Sequence, residues 1–295
     1  MALGHGHRVS HKLKKVSDMK DVTSQPRTIF QEGWVEADGL RLKYRSNYPE
    51  GGQGHPVVIL DGPTWGSRRL PDVLAQQGRV IALELPGFGT STADTGSRSV
   101  QDIANTTTRA LARIAPEQYT LIGTSFGANV ALWQTLQAPD SVEALILISP
   151  TGLLPTGGPA DVTPGELAGR LFAHPENAPG LSSASDAAFD APSLARELSL
   201  AQRLGGNAHD TAAEQRLSEI QCATLVVFGS RDQLVSPRAG SIYRANIPNC
   251  NVSIVYDAGH GIAAERPEAL WSTVVDFVER RETFVVGHRS SLVNP

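Results

Sequence analysis

The sequence predicts an α/β fold: a mainly parallel central sheet flanked by helices, interrupted by one helical insertion. Three observations lead there. Short continuous runs of β-branched residues and leucine recur along the chain, which is the pattern of strands buried on both faces. Helix-length stretches separate most of these runs, and strand alternating with helix implies parallel neighbours covered by helices. One interval, from Ser149 to Ser218, breaks the alternation and holds no strand-like run.

Taken in order, the segment from about Glu32 opens with a hairpin. Arg41 to Arg45 alternate in side-chain character as a half-exposed antiparallel strand does. The core strands are then expected at Val57 to Leu60, Val80 to Leu83, Tyr119 to Ile122, Ala144 to Ile148, Thr224 to Phe228 and Val252 to Val255. Helices are expected at Ser99 to Ala115, Phe126 to Gln137, Pro237 to Ala245 and Pro267 to Arg281. In the last, Trp271, Val274, Val275 and Val278 recur at helical spacing.

Pro, Gly, Ser and Ala dominate the interval after Ser149, and two helices are expected within it, at Pro164 to Phe172 and Ser193 to Leu204. Leu167, Leu171, Phe172, Leu181, Phe189, Leu194, Leu198 and Leu204 give it more apolar surface than a solvated linker carries. An ordered lid is the expectation. The organisation is therefore a flexible N-terminal tail (1–31), a core (32–149 and 218–281), a lid insertion (150–217) and a C-terminal extension (282–295).

Composition narrows the function classes. Of 295 residues, 26 are Lys or Arg and 30 Asp or Glu, a formal net charge of −4, with 40% apolar residues. Beyond the tail, where Lys12, Lys14, Lys15 and Lys20 cluster with His5, His7 and His11, no basic block exists to meet phosphates. Nucleic acid is not an expected partner. The longest apolar runs are strand-length, far short of the roughly 20 residues that cross a bilayer, so no membrane span is expected. Cys222 and Cys250 make no disulfide framework, and a reducing compartment, the cytoplasm, is the default.

Chemistry concentrates in three places. Gly123-Thr124-Ser125-Phe126-Gly127 directly follows one strand run and directly precedes a helix. A serine on so sharp a strand-to-helix turn has its hydroxyl lifted off the sheet edge into the open. The flanking glycines avoid Cβ clashes, and the helix N-terminus favours developing negative charge. Ser125 is the candidate nucleophile. A serine hydroxyl needs a base, and the chain holds eight histidines. Three lie in the tail, His288 lies near the C-terminus, His55 precedes the first core strand, and His174 and His209 fall in the insertion. His260, in Asp257-Ala258-Gly259-His260-Gly261, follows the last core strand, and carboxyl ends of parallel strands are where sites form. The imidazole needs an acid to set its tautomer. Asp232, in Gly229-Ser230-Arg231-Asp232, again follows a strand, with turn formation as its plain structural reading. Asp257 is too close to His260 in sequence to reach its ring easily.

The order Ser125, Asp232, His260, each after a strand, with an insert after Ile148, resembles the α/β-hydrolase superfamily over about residues 32 to 281. The segment from Val80 through Leu85-Pro86-Gly87-Phe88-Gly89-Thr90-Ser91 is similar to that family's strand and Pro-Gly-x-Gly-x-Ser loop. Gly259-His260 followed by Glu265-Arg266-Pro267 is similar to its histidine loop and last helix. The resemblance implies a serine hydrolase with a nucleophile elbow and leaves the substrate open, because the fold hosts many chemistries.

One departure concerns the oxyanion hole. Family members usually carry His-Gly after the first core strand, whereas this chain reads Leu60-Asp61-Gly62-Pro63-Thr64-Trp65-Gly66. Pro63 has no N–H to donate. The first donor is expected from Phe126, next to the nucleophile, and the second from Thr64 or Trp65. The expected function is hydrolysis of a carboxylic ester, thioester or lactone through an acyl-enzyme on Ser125. No metal or organic cofactor is implied, and the small-molecule substrate is expected to be moderately apolar. Carbon–carbon bond hydrolysis with the same triad, and a ligand-binding homologue of low turnover, stay open beside it.

Overall fold

The computed structural model describes residues 28–47, 56–61, 70–94, 96–115, 118–153, 169–175, 191–205 and 209–284. Most of the expected tail, the loop holding Pro63, Thr64 and Trp65, and much of the insertion, with Leu167, Leu181 and Phe189, lie outside the described residues, as do residues 285–295.

A hairpin opens the described chain. Strands β1 (Gln31–Ala37) and β2 (Leu40–Ser46) pair antiparallel. Asp38 and Gly39 turn between them with φ of 51° and 77°, the positive values a two-residue hairpin turn requires and an Asp-Gly pair supplies. Six further strands follow: β3 (Val57–Asp61), β4 (Val80–Glu84), β5 (Tyr119–Thr124), β6 (Val142–Ile148), β7 (Ala223–Gly229) and β8 (Cys250–Val255). The eight form one sheet in the order β1-β2-β4-β3-β5-β6-β7-β8. β2 meets β4 antiparallel, and every pair from β4 to β8 is parallel.

Strand periodicity divides the core in two. On β3, Val58 and Leu60 enter one cluster with Leu121, Leu145, Phe228 and the inner faces of α2 (Val100–Ile114) and α3 (Phe126–Gln137). Val57 and Ile59 point the other way, into a cluster with α1 (Leu70–Leu74) and the last long helix. Successive strand residues face opposite sides, so continuous apolar runs are what a sheet covered on both faces demands. Helix α2 begins at a capping box, in which Ser99 Oγ accepts from Asp102 N–H and Asp102 Oδ2 accepts from Ser99 N–H. Helix α3 is buried from Phe126 to Leu136. It crosses β5 so closely that a Cβ on Gly123 would lie 2.3 Å from the Gly127 carbonyl oxygen.

Within the interval after Ser149, residues 169–171 are helical and α4 (Ala191–Gly205) contains the expected Ser193 to Leu204 helix. The stems of this interval meet. Asp210 N–H, at the cap of α5 (Thr211–Arg216), donates to Gly152 O at 2.8 Å, and Asn129 on α3 holds Gly152 N–H and Thr151 Oγ1. α4 docks on the loop after β4. Arg203 donates to the carbonyls of Ser97 and Asp94, Arg196 donates to that of Gly89, and Glu197 accepts from Gly89 N–H.

α6 (Gly240–Asn246) packs on β7 and β8, whereas α7 (Ile262–Glu265) and α8 (Pro267–Arg280) belong to the opposite cluster, with α8 beside α1. Two residues that the sequence assigns to the ends of the chain join the sheet and the core. Gln31, assigned to the tail, pairs with Ser46 in β1. Phe284, assigned to the C-terminal extension, buries its ring edge-on to Phe277 with centroids 5.2 Å apart.

Candidate active site

Ser125, Asp232 and His260 each follow the carboxyl end of a strand. Ser125 follows β5 with φ 55° and ψ −118°, a backbone region that costs a non-glycine residue of order 1–3 kcal/mol and marks over-determined sites. Its N–H donates to Ile148 O at 2.8 Å, which continues the parallel ladder toward β6. The bond consumes that N–H. The hydroxyl is not in the open as expected: Ser125 is only 7% exposed, with the His260 ring against its Oγ.

Ser125 Oγ lies 2.8 Å from His260 Nε2, and His260 Nδ1 lies 2.9 Å from Asp232 Oδ2. The His260 ring is buried and the Asp232 carboxylate is fully enclosed. Asp232 also does what its plain reading required. Its other oxygen, Oδ1, accepts from Leu234 and Val235 N–H at 2.8 and 2.9 Å. Turn-forming and histidine-orienting roles share one carboxylate, each with its own oxygen.

The backbone around His260 is held on every side. Arg231 N–H donates to Ala258 O, Gly261 N–H donates to Leu171 O, and Ser149 Oγ donates to His260 O at 3.2 Å. Gly259 N–H donates to Glu265 Oε2 at 2.6 Å. Sequence patterning assigns a role to neither Ser149 nor Glu265. The signal for Ser149 is that it ends β6 as Ser125 ends β5, a small polar residue after an apolar run, and it too has positive φ, 46°. Glu265 stands in the resemblance segment after His260.

Residue 126 opens α3, and the first N–H groups of a helix have no intrahelical acceptor. The Phe126 N–H, next to Ser125, therefore has no acceptor within its own helix. The Phe126 ring stacks on Phe88 at 5.5 Å and 17°, which ties the nucleophile turn to the loop after β4. That loop is shaped by Glu84, which accepts from the N–H groups of Thr90 and Ser91. Thr64 and Trp65 lie outside the described residues.

Rival groups are occupied elsewhere. Asp257, with φ 54°, pairs with His174, Arg231 and Arg266. His209 pairs with Glu214. Burial pushes the thiols of Cys222 and Cys250 up, to about 11 and about 12, away from the thiolate a cysteine nucleophile needs. Among the described residues no group of His, Cys, Asp or Glu could hold a metal ion, and no helix is long and apolar enough to cross a membrane.

Residues 51–273 match the model of the alpha/beta hydrolase family. The chain is 27% identical over 295 residues to a Pseudomonas putida protein named 2-hydroxy-6-oxononadienedioate/2-hydroxy-6-oxononatrienedioate hydrolase 2, covering 89% of this chain and 99% of that protein. A solved structure described as "Est816 as an N-Acyl homoserine lactone degrading enzyme" is 26% identical with a TM-score of 0.67, over 83% of this chain and all of that one. The 2-hydroxy-6-oxo-6-phenylhexa-2,4-dienoate hydrolase of Rhodococcus sp. strain RHA1 shares the fold at a TM-score of 0.71 and 18% identity, over 85% of this chain and 99% of that chain.

Proposed function

The chain belongs to the alpha/beta hydrolase family, and we propose that it is a serine hydrolase whose nucleophile is Ser125, whose base is His260 and whose orienting acid is Asp232. The observation that carries this reading is the buried line from Ser125 Oγ through the His260 ring to Asp232 Oδ2, with contacts of 2.8 and 2.9 Å. Asp232 beside Nδ1 leaves Nε2 as the nitrogen facing the hydroxyl, the tautomer a general base needs.

In this reading Nε2 takes the hydroxyl proton as Oγ attacks a carbonyl carbon. The carbonyl oxygen gains the negative charge and meets the Phe126 N–H, with the second N–H assigned to Thr64 or Trp65. Collapse of the tetrahedral species breaks the bond to the leaving group, which takes the proton from His260. Water repeats the sequence on the acyl-enzyme: His260 removes its proton, the acid departs, and Ser125 regains its hydrogen. Residues 150–217 act as a lid. Support for that comes from α4 docked beside Phe88 and from residues 171–173 packed against the His260 loop.

The substrate class we favour is a carboxylic ester, thioester or lactone, and the lactone-degrading structure at 26% identity supports it. Carbon–carbon hydrolysis of a vinylogous diketone is the second reading, supported equally by the name of the Pseudomonas putida relative. Two measurements separate the readings. A fluorophosphonate should label Ser125 covalently, and absence of labelling would leave a ligand-binding protein of low turnover. Comparing kcat/KM for p-nitrophenyl esters of graded chain length, acyl lactones and a 2-hydroxy-6-oxo-dienedioate then assigns the class. A dienedioate preferred by about 100-fold or more, equal to roughly 2.7 kcal/mol, would replace the ester reading.

A further inference from the structure

Glu265 is no part of the proposed triad, yet its two carboxylate oxygens reach two different pieces of the site. Oε2 accepts from Gly259 N–H at 2.6 Å, one residue before His260. Oε1 accepts from His174 N–H at 2.9 Å, in the 169–175 segment of the insertion. The side chain gets there because Glu265 closes α7 and its N–H bonds back to Gly261 O, and helical side chains lean toward the N-terminus.

The two pieces also touch directly. Gly261 N–H donates to Leu171 O at 2.8 Å. A Cβ on Gly259 would lie 2.7 Å from Ala173 N and Leu171 O, and one on Gly261 would lie 2.5 Å from the Phe172 ring. The loop carrying His260 and the insertion segment 171–174 are therefore packed without room for a methyl group between them. Glu265 bridges them with charge-assisted bonds to backbone N–H groups, which are about twice as strong as neutral ones.

We infer that Glu265 is a positioning residue: it fixes the backbone on which His260 is carried and locks that backbone to the insertion segment 171–174, so that the base is aligned only while the segment is seated. This rests on the serine-hydrolase reading of Ser125 and His260. Glu265 touches no reacting atom; it acts through the direction of the imidazole.

The test compares Glu265→Gln with Asp257→Asn in the full-length protein. Glutamine keeps the shape but turns one acceptor into an NH2 group facing an N–H, so one of the two bonds must fail. Asp257→Asn weakens the separate His174, Arg231 and Arg266 contacts and leaves both Glu265 bonds in place. With a p-nitrophenyl ester, Glu265→Gln should lower kcat and the rate of fluorophosphonate labelling together by about 10- to 100-fold, with KM within about twofold. Asp257→Asn should stay within about threefold of wild type in both. Should Glu265→Gln not fold, Glu265→Asp keeps the charge but is too short to span both donors, and the same split is read from it. A wild-type kcat in the folded Glu265 variant overturns the inference, and so does an equal loss in Asp257→Asn, which would mark general loosening of the segment. His260→Ala, run in parallel, separates the two levels: if it still labels, the serine-hydrolase reading itself has failed.

Discussion

Ser125 Oγ and His260 Nε2 stand 2.8 Å apart although 135 residues separate them in the chain. The contact exists because β5 and β8 both end on the same edge of a parallel sheet, with β6 and β7 between them. Ser125 holds a backbone conformation that side chains disfavour. Ser125→Ala should abolish turnover and fluorophosphonate labelling with little change in thermal midpoint. Ser125→Gly should be equally inactive but more stable than the alanine variant by about 1 kcal/mol, since glycine relieves the positive φ. Denaturant unfolding of the two variants measures the difference, and equal stabilities would mean the turn is unstrained.

Asp232 uses one oxygen for His260 and the other for Leu234 and Val235. Asp232→Asn can retain the backbone bonds through its carbonyl while its NH2 faces Nδ1 and favours the wrong tautomer. Its activity should fall about 10⁴-fold with the fold intact. Asp232→Ala loses the turn as well and should cost about 1–3 kcal/mol more in stability than the asparagine variant. Activity and urea titrations on the pair separate the two roles.

Gly261 faces the Phe172 ring with no space for a methyl group. Gly261→Ala should therefore destabilise by about 1–3 kcal/mol and lower activity, as overpacked sites do. Phe172→Leu in the same chain should recover part of the loss, a non-additive pair with coupling of about 1 kcal/mol. A strictly additive double mutant would show that the ring and the histidine loop are not in contact in solution.

The Asp257 carboxyl is held below its ordinary value, first by the His174 hydrogen bond and then by Arg231 and Arg266, against an opposing desolvation effect. A carboxyl depressed in the folded state stabilises the protein above the unfolded-state value of about 3.9. That stabilisation fades as pH falls through the lower folded value. Asp257→Asn should thus be less stable than wild type at pH 7, with the gap closing below about pH 4. Thermal midpoints across pH 2 to 7 check the sign: a gap that widens on acidification would reverse it.

The strand runs, the helix after Ser125 and the order of the three candidate residues were legible in the sequence, since doubly buried strands need unbroken apolar runs and a strand-to-helix turn needs small neighbours. Composition had the same clarity for the two cysteines, which the fold leaves half-buried and unbridged. Domain limits were less legible. Phe284 reads as part of an extension, and only the Phe277 ring beside it shows that it is core.

What the sequence by itself determined is which residue types stand at the ends of which strands, because periodicity and turn chemistry are local. What only the tertiary structure decided is how these ends meet. The enclosure of the Ser125 hydroxyl beside His260, the Asp232 bond to His260, the Glu265 bond to His174 and the Ser149 bond to the His260 carbonyl all join segments far apart in the chain. Such contacts depend on sheet order and on backbone N–H and C=O groups that are identical at every residue, so no residue type announces them in advance.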